Sequence, residues 1–326
     1  MTSMSGGERK VYTLALNPAI DRTFWIDRLD FNESNRVKRE CRYPGGKGID
    51  VSRVLTNLGL PNVAMGFYGG YTGQELEARL ACEGVMTDLI EVEGETRTNI
   101  IVHEDRTGRH LLITASGPKV TSREMDTLFD KLSGLEDASV FSIGGSMPPG
   151  AGEDTYGRII SMLRKKGITT FLDAEGEALR LGIEAGPDYI KPNRYELGEL
   201  AGRELHGIDD VVEAASSLRS SGAGTVLASL DADGMVLIGE ERALWARTPK
   251  VEVVNTIGVG DSAVAGFIYG LVNGLGPLES LRYGTAAGTA TVLKPGTARA
   301  GKDDVLAMLP KITVKDLTKE GYVRAR

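Results

Sequence analysis

Hydrophobic positions in this chain follow two rhythms. Val11–Leu16 is a short apolar run of β type, closed by the turn signal Asn17-Pro18. From Gly48 the spacing becomes helical, with Ile49, Val51, Val54, Leu55 and Leu58 on one face and Gly59 at the stop. Val63–Tyr68 reads as a strand and Gly73–Cys82 as a helix. Further on, strands predicted at Ser139–Ile143, Thr169–Leu172, Tyr189–Lys191 and Thr225–Leu230 alternate with helices predicted at Asp154–Lys166, Arg194–Ala201 and Asp209–Ser221. Such alternation means parallel βαβ units with helices on both faces of one sheet. Met235–Ile238 and Ala243–Ala246 read as a hairpin. Helices near Asp261–Asn273, Pro277–Leu293 and Asp303–Leu309 close the chain.

Two stretches break the rhythm. Thr23–Asp27 and Arg36–Tyr43 read as short, partly polar strands, and Thr98–His103 with His110–Thr114 as a hairpin across Arg106-Thr107-Gly108. These groups, about 22–44 and 96–114, are read as insertions that pair into a small separate sheet. Ligands of open α/β folds sit beyond the carboxyl ends of the strands, so a small sheet projecting there acts as a lid. The folded unit is expected over 11–310, with 1–10 and 311–326 as weakly ordered tails.

Composition narrows the class. The 326 residues, 41 % hydrophobic and 25 % charged, suit a globular α/β protein. Net charge of −7 disfavours a nucleic-acid partner. Only Cys41 and Cys82 are present, which fits a reducing cytoplasm. No apolar run reaches the length of a membrane span, and the polar start lacks the apolar core of a signal peptide. The 42 glycines cluster in short groups, as in loops that approach a ligand closely.

The most informative run is Asn255-Thr256-Ile257-Gly258-Val259-Gly260-Asp261-Ser262, at the start of an apolar helix. A glycine turn feeding a helix leaves backbone N–H groups unpaired, with the positive end of the helix dipole behind them, which makes an anion site. Asp261 repels a phosphate there unless it takes a proton from whatever attacks that phosphate. The plain alternative is an aspartate serving the first turn of its helix. Gly45-Gly46-Lys47-Gly48 opens a second helix and is either a close approach to a sugar or phosphate or a tight turn. It is not a Walker A loop, because the spacing of that motif is absent. Asp21 suits two sugar hydroxyls, or else bonds its own turn. Arg36, Lys38, Lys47 and Arg97 are either a phosphate clamp or a solvated face, with Arg97 favoured by its neighbours Thr96 and Asn99. Asn193 and Glu196 have capping-box spacing, and an oxygen ligand there also suits a Mg²⁺–phosphate cluster. Zinc motifs are absent, and Ser146 lacks the nucleophile-elbow pattern.

Taken together these segments resemble the ribokinase-like (pfkB) carbohydrate kinases, and among them the sugar-phosphate branch. The resemblance runs from about Tyr12 to Leu309. It rests on Leu16-Asn17-Pro18-Ala19-Ile20-Asp21, Pro44-Gly45-Gly46-Lys47-Gly48-Ile49-Asp50-Val51, Thr96-Arg97-Thr98-Asn99, Gly145-Ser146-Met147-Pro148-Pro149-Gly150, Asp173-Ala174-Glu175-Gly176, Lys191-Pro192-Asn193 with Glu196, and Thr256–Ser262. It implies an α/β fold, a central mostly parallel sheet flanked by helices on both faces, with a β-sheet lid. It implies that Asp261 is the catalytic base and that Gly258, Val259 and Gly260 form the anion hole. Asp21, Gly45, Gly46 and Asp50 would meet the sugar, and Arg36, Arg97, Lys47 and Ser146 its phosphate. Lys191, Asn193, Ser229, Asp231, Gly234 and Thr256 would contact ATP, and Glu196 would position Mg²⁺. A homodimer through the lid is also implied.

This chain departs from the family pattern at two positions. Asp50 stands where an asparagine is usual, and Asn255 where an aspartate is frequent. A carboxylate at 50 adds negative charge beside an anionic substrate, unless a cation such as Lys47 or Arg53 neutralises it. The expected reaction is ATP-dependent phosphorylation of a ketohexose monophosphate: fructose 1-phosphate, fructose 6-phosphate or tagatose 6-phosphate. The alternatives are an unphosphorylated sugar or nucleoside as acceptor, and a non-catalytic sensor on the same fold.

Overall fold

The computed structural model describes residues 10–318, so the first nine residues and the last eight of the expected tails lie outside it. Fourteen strands are present: β1 (Lys10–Ala15), β2 (Ala19–Ile26), β3 (Arg39–Gly45), β4 (Asn62–Tyr68), β5 (Met86–Glu91), β6 (Arg97–Glu104), β7 (His110–Ile113), β8 (Ala138–Gly144), β9 (Thr169–Asp173), β10 (Tyr189–Ile190), β11 (Thr225–Ser229), β12 (Met235–Ile238), β13 (Ala243–Arg247) and β14 (Thr313–Asp316). The helices are α1 (Lys47–Asn57), α2 (Gly70–Cys82), α3 (Ser122–Ser133), α4 (Thr155–Lys165), α5 (Gly176–Glu184), α6 (Arg194–Ala201), α7 (Ile208–Ser220), α8 (Val259–Val272), α9 (Gly276–Val292) and α10 (Lys302–Met308).

Ten strands form one sheet in the order β14-β13-β12-β11-β10-β9-β8-β1-β4-β5. From β11 to β5 every neighbouring pair is parallel, whereas β12, β13 and β14 add antiparallel strands at one edge. Alternate side chains along each strand feed two cores. Tyr12, Leu14 and Leu172 pack toward Leu128, Tyr156, Leu179 and Leu197 of α3–α6. Val11, Val140 and Phe171 face Val54, Leu55, Phe267 and Ala287 of α1, α8 and α9. The α/β sandwich expected from the sequence is thus the observed architecture.

The two insertions form a separate four-stranded sheet, β3-β2-β6-β7, in which β2 pairs with β6 in parallel. Its strands start earlier than the sequence pattern indicates at β2, and later at β3, where Arg36 remains in the connection. Four other elements differ from the expectation. The tail expected from residue 311 is a strand over Thr313–Asp316, because β13 presents a free edge that β14 covers. An edge strand, β5, and two helices, α3 and α5, are additional to the elements expected.

Candidate active site

The residues singled out by the sequence lie mostly just past a carboxyl end of the parallel strands, in the first turns of helices, or on the small sheet. β1 leads to Asn17, β8 to Gly145 and Ser146, β9 ends in Asp173, β10 leads to Lys191 and β11 ends in Ser229. Two glycine-opened helices complete the site. α1 starts after Gly46, and it approaches β1 so closely that a Cβ at Gly48 would lie 2.2 Å from the Leu14 carbonyl oxygen. α8 starts after Gly258, whose φ of 74° is left-handed and so favours glycine. No side chain caps α8, so Asp261 does not serve its own first turn and the helix start keeps its donors.

On the sugar side, Asp21 of β2 is buried and accepts a hydrogen bond from Asn99 Nδ2 at 2.9 Å. A Cβ at Gly45 would lie 2.5 Å from Asp21 Oδ2, so only glycine lets the loop pass that carboxylate. Burial and then the charge of Asp50 push the Asp21 carboxyl up to about 6, against the Asn99 hydrogen bond and the charges of Arg299 and Arg53. Arg97, the first residue of β6, donates to the carbonyls of Asn17 (3.1 Å) and Ala115 (2.8 Å). Asn17 in turn donates to Ser146 Oγ at 3.3 Å, which draws Arg97 and Ser146 into one corner. Burial lowers the Arg97 guanidinium's proton affinity, opposed first by Asp21.

On the opposite side Asp173 is buried between two ammonium groups, Lys47 Nζ at 2.9 Å and Lys191 Nζ at 3.2 Å. Burial raises its carboxyl, but the charges of Lys191 and Lys47 outweigh that and hold it below the usual range. Burial works against the charge of Lys47, yet Asp173, Asp261 and Glu196 together raise its proton affinity. Lys191 also reaches the helix start, since a Cβ at Gly260 would lie 3.2 Å from its Nζ. Asn193 caps α6. Its side chain accepts from Glu196 N at 2.8 Å, and Glu196 Oε2 accepts from Asn193 N at 2.8 Å. Asn193 also bridges to Ser229, beyond which Asp231 (φ 50°) and Gly234 (φ 93°) bound a short turn.

Asp261 is buried in the first turn of α8, and burial, then Asp50 and Asp173, push its carboxyl up to about 7, against Lys47 and Arg299. Asp50, expected at the sugar, has both oxygens engaged by arginines, Oδ1 with Arg53 Nη1 at 3.0 Å and Oδ2 with Arg299 Nη2 at 2.7 Å. Of the two cations weighed as its partner, Arg53 is one and Lys47 is not. Arg36 does not join Arg97. It lies exposed in the connection between β2 and β3, a polar segment held by Asn35 and Asp30 rather than by the site. Thr256 is exposed beside buried Asn255, whose amide donates to the Gly296 carbonyl. The sequence reading misses Asp173 and Arg299 as site residues. A polar residue ending the apolar run Thr169–Leu172 marks the first. No local pattern marks Arg299, which reaches the site only through tertiary structure.

The family model for pfkB family carbohydrate kinases matches residues 14–304. The chain belongs to the pfkB family of carbohydrate kinases. The 1-phosphofructokinase of Borreliella burgdorferi is 36 % identical over 308 residues, covering 94 % of this chain and 99 % of that protein. The D-tagatose-1-phosphate kinase of Bacillus licheniformis is 32 % identical over 304 residues, 93 % of this chain and 99 % of that protein. Among solved structures, phosphofructokinase-2 from Escherichia coli in complex with substrates and products superimposes with a TM-score of 0.89 at 32 % identity, covering 92 % of this chain and 98 % of that one. The ribokinase-like fold expected from the sequence is shared with solved structures of this kind, and the small second sheet expected from the sequence is present in this chain. Among the described residues no helix is long and apolar enough to cross a membrane, and both cysteines are free.

Proposed function

We propose that this pfkB-family kinase transfers the γ-phosphoryl group of ATP to a hydroxyl of a ketohexose monophosphate, giving a bisphosphate and ADP. One observation carries the reading: a buried carboxylate, Asp261, whose proton affinity is raised to about 7, at the uncapped start of α8. The acceptor hydroxyl's proton goes to Asp261 as its oxygen forms a bond to the γ-phosphorus, and the bond to the β-bridging oxygen breaks with its electron pair leaving on ADP. The N–H groups of Gly258, Val259 and Gly260, with the helix dipole, stabilise the charge on the transferring phosphoryl oxygens.

Asp21, steadied by Asn99, takes sugar hydroxyls, while Arg97 and Ser146 hold the substrate's own phosphate. Arg36, exposed as the chain stands, takes no part. Lys191, paired with Asp173, lies beside Gly260 on the nucleotide side. Asn193, Ser229, Asp231, Gly234 and Thr256 line the course of ATP from there. Among the described residues no three acidic or histidine side chains cluster as a metal site. That fits Mg²⁺, which binds through one or two carboxylates, waters and substrate phosphates. Glu196 would hold its water shell, since the helix cap uses Oε2 and leaves Oε1 out. When bound, the ion neutralises phosphate charge. The small sheet acts as a lid, and its β7 strand, exposed along its length with Leu112 and Ile113 each 51 % accessible, offers a homodimer contact. A cytoplasmic location fits the free thiols and the need for ATP.

A coupled ADP-release assay over fructose 1-phosphate, fructose 6-phosphate, tagatose 1-phosphate, tagatose 6-phosphate, free fructose and a nucleoside tests the reading. Turnover is expected with ketohexose phosphates, the 1-phosphates first, since two relatives bear that name. Faster turnover of the free sugar or the nucleoside would overturn it, and ATP binding without turnover of any acceptor would favour the sensor.

A further inference from the structure

We infer that Asp50 and Arg299 form a buried positioning pair that ties the sugar-side glycine loop to the 258–260 turn, so that the carboxylate at 50 acts on the anion hole and not on the sugar. The inference rests on the kinase reading above. Asp50 sits in the first turn of α1, four residues past Gly46, with its side chain 5 % exposed. Its partner Arg299 comes from the segment between α9 and α10 and is 1 % exposed at its side chain. Arg299 Nη1 donates to the carbonyls of Thr297 (2.8 Å) and Ile257 (3.3 Å). A Cβ at Gly258 would lie 2.3 Å from the guanidinium carbon, so the guanidinium lies directly against the turn.

Charge accounting explains why Asp50 serves Arg299. The other cation near it, Arg53, already meets Glu83 through Nε at 2.6 Å and Nη2 at 2.9 Å, and donates to the Pro44 carbonyl at 2.9 Å. That leaves the second Asp50 oxygen as the anion for Arg299. An amide at 50 would carry no charge for either guanidinium and would turn its NH₂ toward one of them, a donor facing a donor. The carboxylate therefore belongs with Arg299 as a unit. The same pair lies within electrostatic reach of both active-site acids: Asp50 raises and Arg299 lowers the proton affinity of Asp21 and of Asp261.

A residue acting through the turn is separable from one touching the sugar. Asp50→Asn and Arg299→Gln, each measured with saturating ketohexose phosphate, should lower kcat roughly 10- to 100-fold, the scale of a small misplacement of reacting groups. KM for the sugar phosphate and for ATP should stay within about two-fold. The double variant should be little worse than either single one, because the two share one interaction. Arg299→Lys keeps the charge but loses the planar group, and it carries the same test if Asp50→Asn or Arg299→Gln fails to fold. Hydrogen exchange across 255–262 needs no turnover and should speed up about ten-fold in the variants, as for a locally loosened segment. Unchanged kcat, a rise confined to sugar-phosphate KM, additive losses, or unchanged exchange would each overturn the pair. A wild-type enzyme inert toward every ketohexose phosphate would overturn the functional reading alone, and the exchange measurement would still decide the pair.

Discussion

Asp173 and Asp261 are both buried aspartates in one site, and their proton affinities go opposite ways. Burial raises both. Asp173, at the end of β9, has an ammonium group on each oxygen and stays below the usual carboxylate range. Asp261, at the start of α8, faces the charges of Asp50 and Asp173 and rises to about 7. Asp21 behaves like Asp261, at about 6. Neighbouring charge, rather than depth, sorts these acids into a permanent anion that organises lysines and groups ready to exchange a proton.

Removing the proposed proton acceptor should have the largest effect. Asp261→Asn should lower kcat by roughly 10²- to 10⁴-fold with ATP affinity retained, the usual contribution of a positioned base. It should also stabilise the fold at alkaline pH. The folded carboxyl at about 7 binds its proton more tightly than the unfolded one at about 3.9. Wild-type stability therefore falls as pH rises through that window, and the amide escapes the loss. Thermal melts at pH 4 and pH 8 check this: the variant's Tm should exceed wild type only at pH 8.

Asp173→Asn should act in the opposite direction. It strands two lysines, and the expected loss is on the order of 3 kcal/mol, the low end for breaking a buried pair because Lys47 is partly exposed. The stability due to Asp173 is present above its unfolded pKa and fades as pH falls through its lower folded value. Denaturant titrations at neutral and acid pH should show the gap between variant and wild type closing with acid. A constant gap would mean that packing, not charge, holds Asp173.

Arg97→Ala probes the Asp21 side of the site. Loss of a charge-assisted bond to phosphate should raise KM for the sugar phosphate by about 10- to 150-fold and leave KM for ATP nearly unchanged. An equal rise in both constants would take Arg97 out of sugar-phosphate recognition.

Much of this was legible in the chain. The alternation of Val11–Leu16, Ser139–Ile143, Thr169–Leu172 and Thr225–Leu230 with amphipathic helices carries the parallel sheet flanked by helices on both faces, because buried parallel strands must be apolar throughout. The edge strands β5 and β14 were not legible, since Thr87, Asp88 and Asp316 are half-buried and Lys315 is exposed, which blurs the period. The glycine turns and Asp261 read correctly as a helix start. Lysine and arginine partnerships did not. Whether Lys47 meets a phosphate or Asp173, and whether Asp50 repels the substrate or anchors Arg299, depends on residues 126 and about 250 positions away. The repulsion account of Asp50 gives way to a pairing with Arg53, which the sequence offered as an alternative, and with Arg299, which it did not reveal.

If ionisation of Asp261 switches the reaction on, the pH dependence of kcat/KM in wild type and in Asp261→Asn should show it. A sugar phosphate itself titrates near pH 6, so the two profiles must be compared with the same acceptor. Wild type should lose activity below a midpoint of about 7 as Asp261 takes up a proton, over and above the substrate's own titration. The variant should be slow throughout, with only the limbs of the substrate and of Asp21, both near pH 6, remaining. Superimposable acid limbs in the two proteins, or a wild-type profile that stays flat between pH 6 and pH 8, would contradict the account.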